Sequence, residues 1–125
     1  TYPVLAIARW QDGGIRVYLH TVADNDHPYP YPVEMFEVVD ASLPPEWTLG
    51  FGQYPDGTTI ERIGFPEWVK DDRFYEKLVD GDDATIAVYR HQRNIASAAL
   101  QDWQKANPKA SGVDRAVAEN VLRMV

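Results

Sequence analysis

The first 64 residues read as short apolar or alternating blocks separated by turn residues, which is the pattern of β-strands. Residues 4–10 are apolar and strand-length, and residues 15–20 alternate with period two. Between them Asp12, Gly13 and Gly14 supply the positive φ angles that a tight hairpin needs. Residues 34–39 form a third strand candidate, stopped by Leu43, Pro44 and Pro45. Two more, 47–54 and 58–63, flank the turn Pro55-Asp56-Gly57. Residues 23–32 hold three prolines alternating with His27, Tyr29 and Tyr31; fixed φ and missing N–H groups predict a loop with polyproline character, outside any sheet interior.

After Gly64 the period lengthens. Trp68, Val69, Tyr75 and Leu78 can share a stripe, Pro66 suits a first helical turn, and Gly81 suits a stop, with Asp71-Asp72 as an interruption. One or two short helices are predicted. Asp82 or Asp83 can cap a longer helix to about Asn107, in which Ile86, Tyr89, Ala96, Ala99, Leu100 and Trp103 recur at three- and four-residue steps. The β-rich residues 85–89 leave a strand open as an alternative there. A last helix is expected from Ser111, with Asp114 completing a capping box and Val113, Val117, Val121 and Leu122 on its apolar face. Five strands followed by two to three helices predict an α+β fold, an antiparallel sheet with helices on one face, in a single domain over residues 1–125.

Composition narrows the chemistry. The chain has 125 residues, no cysteine and a formal charge of −7, so disulfides, thiolate nucleophiles and Cys-ligated metals are excluded and a nucleic-acid or anionic-membrane surface is disfavoured. No run approaches the roughly 18 apolar residues of a membrane span, and residues 1–10 lack a signal-peptide pattern; a cytoplasmic location is the expectation. His20, His27 and His91 form no metal-ligand spacing and no serine sits in a nucleophile elbow. Asp80, Asp82 and Asp83 invite a calcium reading, but the EF-hand register would place Thr85 and His91 where glycine and glutamate are required, and a helix cap accounts for the same residues. Gly13-Gly14 and Gly50-Phe51-Gly52 read as turn or bulge glycines rather than a phosphate loop. No catalytic residue, cofactor or metal is assigned.

The most informative feature is charge distribution. Between Arg16 and Arg62 there are eight acids and no lysine or arginine, whereas the rest of the chain holds 11 acids and 12 bases. The same interval carries Tyr18, Tyr29, Tyr31, Phe36, Trp47, Phe51 and Tyr54. Carboxylates steer a basic partner and aromatic side chains anchor it. Asp24, Asp26, Tyr29 and Tyr31 are therefore the candidate partner-binding residues, with Glu34, Glu46, Tyr54 and Asp56 as flanking contacts. Trp47 and Trp68 read as core.

The segment 36–47, with its Leu43-Pro44-Pro45-Glu46-Trp47, together with Ile63-Gly64-Phe65-Pro66-Glu67-Trp68 and residues 74–82, resembles small bacterial immunity proteins of polymorphic or contact-dependent toxin systems, over about residues 36–90. That resemblance implies a non-catalytic inhibitor that neutralises a cognate, basic toxin or nuclease domain, and transfers no binding residue. Two rivals remain open: a small-ligand module or small enzyme with a cleft between sheet and helices around His27, tyrosines and carboxylates, and a structural subunit of a phage or secretion assembly.

Overall fold

A computed structural model describes residues 1–53, 55–108 and the backbone of 121–124. Seven strands lie in the first 64 residues: β1 Tyr2–Val4, β2 Ala6–Arg9, β3 Ile15–Leu19, β4 Tyr29–Pro32, β5 Glu37–Asp40, β6 Thr48–Gln53 and β7 Thr59–Gly64. The helices are α1 Pro66–Val69, α2 Phe74–Val79 and α3 Asp83–Ala106, and β8 is Val121–Met124. The main sheet is antiparallel throughout, in the order β4-β3-β2-β7-β6. The fold is α+β, with α1–α3 following the strands of the main sheet.

Local chemistry explains the elements that sequence pattern anticipates. Gly13 and Gly57 take φ of 81° and 88° in the two hairpin turns, and the carboxylates of Asp12 and Asp56 accept from the N–H groups of Gly14 and Thr58 at 2.8 and 2.9 Å. Asp82 caps α3 by accepting from the Thr85 N–H at 3.0 Å, which commits residues 85–89 to helix rather than strand. The expected interruption at Asp71-Asp72 separates α1 from α2.

Four expectations are corrected. The proline-rich segment does enter the sheet, as edge strand β4, with Tyr29 opposite Leu19 and Tyr31 opposite Val17. Its prolines sit at alternate positions, so their missing N–H groups fall on the unpaired side of the edge. The strand expected over 34–39 starts late, after a 3₁₀ turn at Val33–Met35, and β5 belongs to a second, parallel sheet of order β1-β8-β5. Val121 and Leu122, assigned above to a last helix, lie in β8. The rest of that predicted helix, Val113 and Val117 included, is outside the described residues. Finally, Gly50 and Gly52 are neither turn nor bulge but regular positions of β6.

Alternation gives the main sheet two unlike faces. On one, Ala6, Ala8 and Tyr18 pack with Phe65 and Trp68 around α1, Phe74 and Leu78 of α2, and Tyr89 and Ala96 of α3. On the other, Val17 and Leu19 join Val4 and are covered by Tyr31, Val33, Phe36 and Trp47. The cover extends over the β3–β4 half only. Trp68 is core as expected, and Trp47 is half-buried between the two clusters.

Candidate functional site

Three regions could carry function, and the residues singled out by charge counting are distributed among them unevenly. The loop after β3 holds Asp24, exposed, and Asp26, whose carboxylate is bound by Arg90 of α3 at 2.5 and 3.0 Å. Tyr29 accepts from Asn25 at 2.6 Å, and Tyr31 is bonded to Thr21 at 2.8 Å with its ring edge-on to Phe36. Asp24 and Asp26 lie in the β3–β4 connection, and Tyr29 and Tyr31 in β4 itself. Glu34 lies exposed in the 3₁₀ turn, and Glu46 on the wall of a roughly 440 Å³ groove between segment 42–47 and α3. Asp56 is held in the β6–β7 turn by Thr58 and by Gln11 at 3.1 Å, at the opposite end of the sheet from Asp24. Tyr54 lies outside the described residues.

At the loop end of β3, His20 faces α3. Its Nδ1 is 2.8 Å from the Tyr89 hydroxyl and its Nε2 is 3.2 Å from Arg93. A guanidinium can only donate, so Nε2 accepts and the neutral ring carries its proton on Nδ1, toward Tyr89. Burial, then the Arg93 charge, hold His20 below its ordinary value of 6.5, and burial raises Tyr89. A histidine with a lowered native pKa binds its proton more readily when unfolded, so the stability it protects is present above 6.5 and declines as pH falls through that value toward the native one. The thermal midpoint should drop between about pH 7 and 5, and His20→Gln should flatten that part of the curve. The lowered carboxylates Asp12, Asp56, Asp71 and Asp82 act only below 3.8, which separates the two windows. An equal slope in the variant would discount His20.

The second region is the uncovered half of the helix-free face. Direct pairing lines up Ile7, Ile63 and Leu49 in one row and Ile15, Arg9, Glu61 and Phe51 in the next. Ile15, Leu49 and Phe51 are 41, 56 and 66% exposed. Arg9 and Glu61 pair at 2.9 Å within this apolar field. Strand β6, at the sheet edge, contains no charge and no proline, the residues that usually blunt an edge. An exposed apolar patch of this kind marks an interaction surface more often than a solvated face.

The third is a cleft of roughly 640 Å³ on the helix face, between the sheet and α1–α2. Trp10, Tyr18, Trp68 and Tyr75 supply its aromatic walls, and Asp12, Asp72, Glu76 and Arg62 its charged groups. Tyr18 meets Trp68 and Tyr75 edge-on at 4.9 and 5.1 Å, while Trp68 and Tyr75 lie nearly parallel at 5.9 Å. The Tyr75 hydroxyl donates to the Pro28 carbonyl at 2.8 Å, and burial pushes its pKa up to about 12. Arg16 lies over the Trp10 ring at 4.9 Å and bonds Asp12 at 3.0 Å. Arg62, 8% exposed, pairs with Asp72 and donates to the Val69 carbonyl at 3.3 Å, and its Nε has no acceptor among the described residues. None of Trp10, Arg62, Asp72 or Glu76 stood out in sequence. His27, which the small-ligand alternative set in a cleft between sheet and helices, sits outside this lining, edge-on to Tyr29 and Tyr75 at 5.0 and 6.1 Å.

No protein-family model matches the chain, and neither a curated protein nor a solved structure matches it. Among the described residues, no helix is long and apolar enough to cross a membrane, and no group of three or more histidines, aspartates or glutamates is placed to hold a metal.

Proposed function

We propose that this chain is a non-catalytic binding protein that neutralises a basic toxin or nuclease domain, and that the partner docks on the uncovered half of the main sheet. The observation that carries this reading is the exposed apolar field of Ile15, Leu49 and Phe51 around the Arg9–Glu61 pair. An apolar centre supplies affinity, because water released from Leu and Phe surfaces is a non-directional gain. The neighbouring cover segment supplies electrostatics, since Glu34 and Glu37 are exposed there. Asp24 is exposed and adds to long-range steering, whereas Asp26 is already paired with Arg90 and contributes less.

The test uses the intact chain as bait in extract of the source cells, beside a Leu49→Asp/Phe51→Asp variant whose thermal midpoint is checked first. A single stoichiometric, basic protein should be retained by the parent chain and its activity abolished at equimolar ratio. The double variant should weaken that complex by at least about 100-fold, as expected when two anchors are lost. Asp24→Lys should slow association by about tenfold at low salt and leave dissociation unchanged. Retention that is indifferent to Leu49 and Phe51 would move the interface elsewhere, and a retained partner whose activity persists would end the inhibitor reading.

A further inference from the structure

We infer that the cleft between the helix face of the sheet and α1–α2 is a binding site for a neutral, hydroxyl-rich ring, of which a pyranose sugar is the simplest example. The inference is independent of the partner surface, which lies on the opposite face of the sheet. It rests on matching what the lining offers against what each ligand class would require.

The cleft volume of roughly 640 Å³ lies within the range of about 300–1,000 Å³ typical of small-molecule sites. Its charged groups are paired: Arg62 with Asp72, Asp12 with Arg16, and Glu76 with Arg73. A charged ligand would have to displace one of these partners or sit beside a like charge. An anion meets Asp12, Asp72 and Glu76, and a cation meets Arg62 and competes with the arginines already paired to those carboxylates. A neutral ligand meets neither penalty.

Hydrogen-bonding capacity is nevertheless unspent. Among the described residues the buried Arg62 Nε–H has no acceptor, an arrangement that costs free energy until an oxygen arrives. Ionised carboxylates accept at several lone pairs each, so Asp12, Asp72 and Glu76 can take donors beyond their arginine partners. The complementary ligand therefore carries acceptors and donors together, which is the property of a hydroxyl. It must also present an apolar face, because the half-buried rings of Trp10 and Tyr75 form the reachable aromatic walls, with the buried Tyr18 and Trp68 packed behind them. A ring with C–H groups on its faces and hydroxyls around its edge meets both conditions. A lone aromatic ligand would fill the walls but leave the polar groups unmatched, and a linear polyol would do the reverse.

The probes are methyl β-D-glucopyranoside, methyl β-D-galactopyranoside and the disaccharide of N-acetylglucosamine, titrated against the full chain with saturation-transfer NMR on the sugar and indole fluorescence on the protein. At least one should bind saturably with a dissociation constant of roughly millimolar order or better. Trp10→Ala should weaken it by at least about tenfold. Glu76→Gln, at an exposed rim position, should weaken it about threefold or more with the thermal midpoint unchanged, and this holds the test open if Trp10→Ala fails to fold. Arginine methyl ester and benzoate serve as charged competitors and should bind more weakly. The proposal is overturned if none of the sugars saturates up to about 50 mM, if a charged probe binds more tightly than every sugar, or if sugar binding survives both substitutions unaltered.

Discussion

Trp68→Ala is expected to cost about 3–5 kcal/mol of folding free energy, the range for emptying a fully buried indole position. Trp68 is 2% exposed, and its ring meets four others: Tyr18 at 4.9 Å, Phe74 at 5.2 Å, Phe65 at 5.8 Å and Tyr75 at 5.9 Å. These rings come from β3, α2 and the entry to α1, so the indole joins the sheet to both short helices. Helices of four and six residues cannot hold themselves in water, and their order depends on this packing. Domains of this size have roughly 5–15 kcal/mol to lose, so about a fifth or more of the total is at stake. Urea denaturation followed by near-UV circular dichroism measures the change. Trp68→Phe, which keeps a ring in the site, should cost well under the alanine value. A loss below about 1.5 kcal/mol for alanine would mean that the neighbours close over the space and that α1–α2 are held by something else.

The elements legible in the sequence are those whose determinants are local. The hairpins at Gly13 and Gly57 are specified by residues within the turn, and α3 by Asp82 together with a stripe that repeats along one segment. Strand β4 is not legible locally because proline argues against a strand except at a sheet edge, and edge position is set by the other strands. The parallel sheet was hidden because its centre, β8, comes from more than 80 residues after β5. Charge counting failed for a similar reason. It treats Asp26 and Glu61 as uncompensated acids, yet Arg90 and Arg9 neutralise them across 64 and 52 positions of chain. The cleft brings Trp10, Arg62, Trp68, Asp72 and Tyr75 together from a hairpin, a strand and two helices with their connection, and no linear spacing announces that set. The exposure of Leu49 and Phe51 was equally unreadable, since alternation along β6 shows that two faces differ and not which of them is covered.

Gly50→Ala should be the most damaging of the small changes on the sheet, with a loss of about 1–3 kcal/mol despite the better strand propensity of alanine. A Cβ at position 50 would come within 2.1 Å of Val69 Cγ1 and 3.2 Å of the Val69 carbonyl oxygen. That valine is β-branched, 4% exposed and at the end of α1, so it has no rotamer into which to retreat, and the helix must move. Gly52→Ala meets softer obstacles, Asp72 Oδ1 at 2.2 Å and Arg62 Nη2 at 2.7 Å, which are the ends of side chains. Its damage is therefore chemical rather than steric. Moving Asp72 aside leaves the guanidinium of a buried arginine short of its counter-charge, at a cost of about 1–3 kcal/mol. The two glycines are distinguishable by double-mutant cycles. Val69→Ala should recover part of the Gly50→Ala loss, giving a coupling of at least about 0.5 kcal/mol, and should be additive with Gly52→Ala. If Gly52→Ala proves neutral while the Arg62–Asp72 pair persists in its structure, the backbone of β6 has room that the close approach of α1 denies. If Gly50→Ala and Val69→Ala are simply additive, the two positions do not touch. With the contact intact, the same glycines explain how an edge strand can expose Leu49 and Phe51 to a partner on one face while α1 rests directly on its backbone on the other.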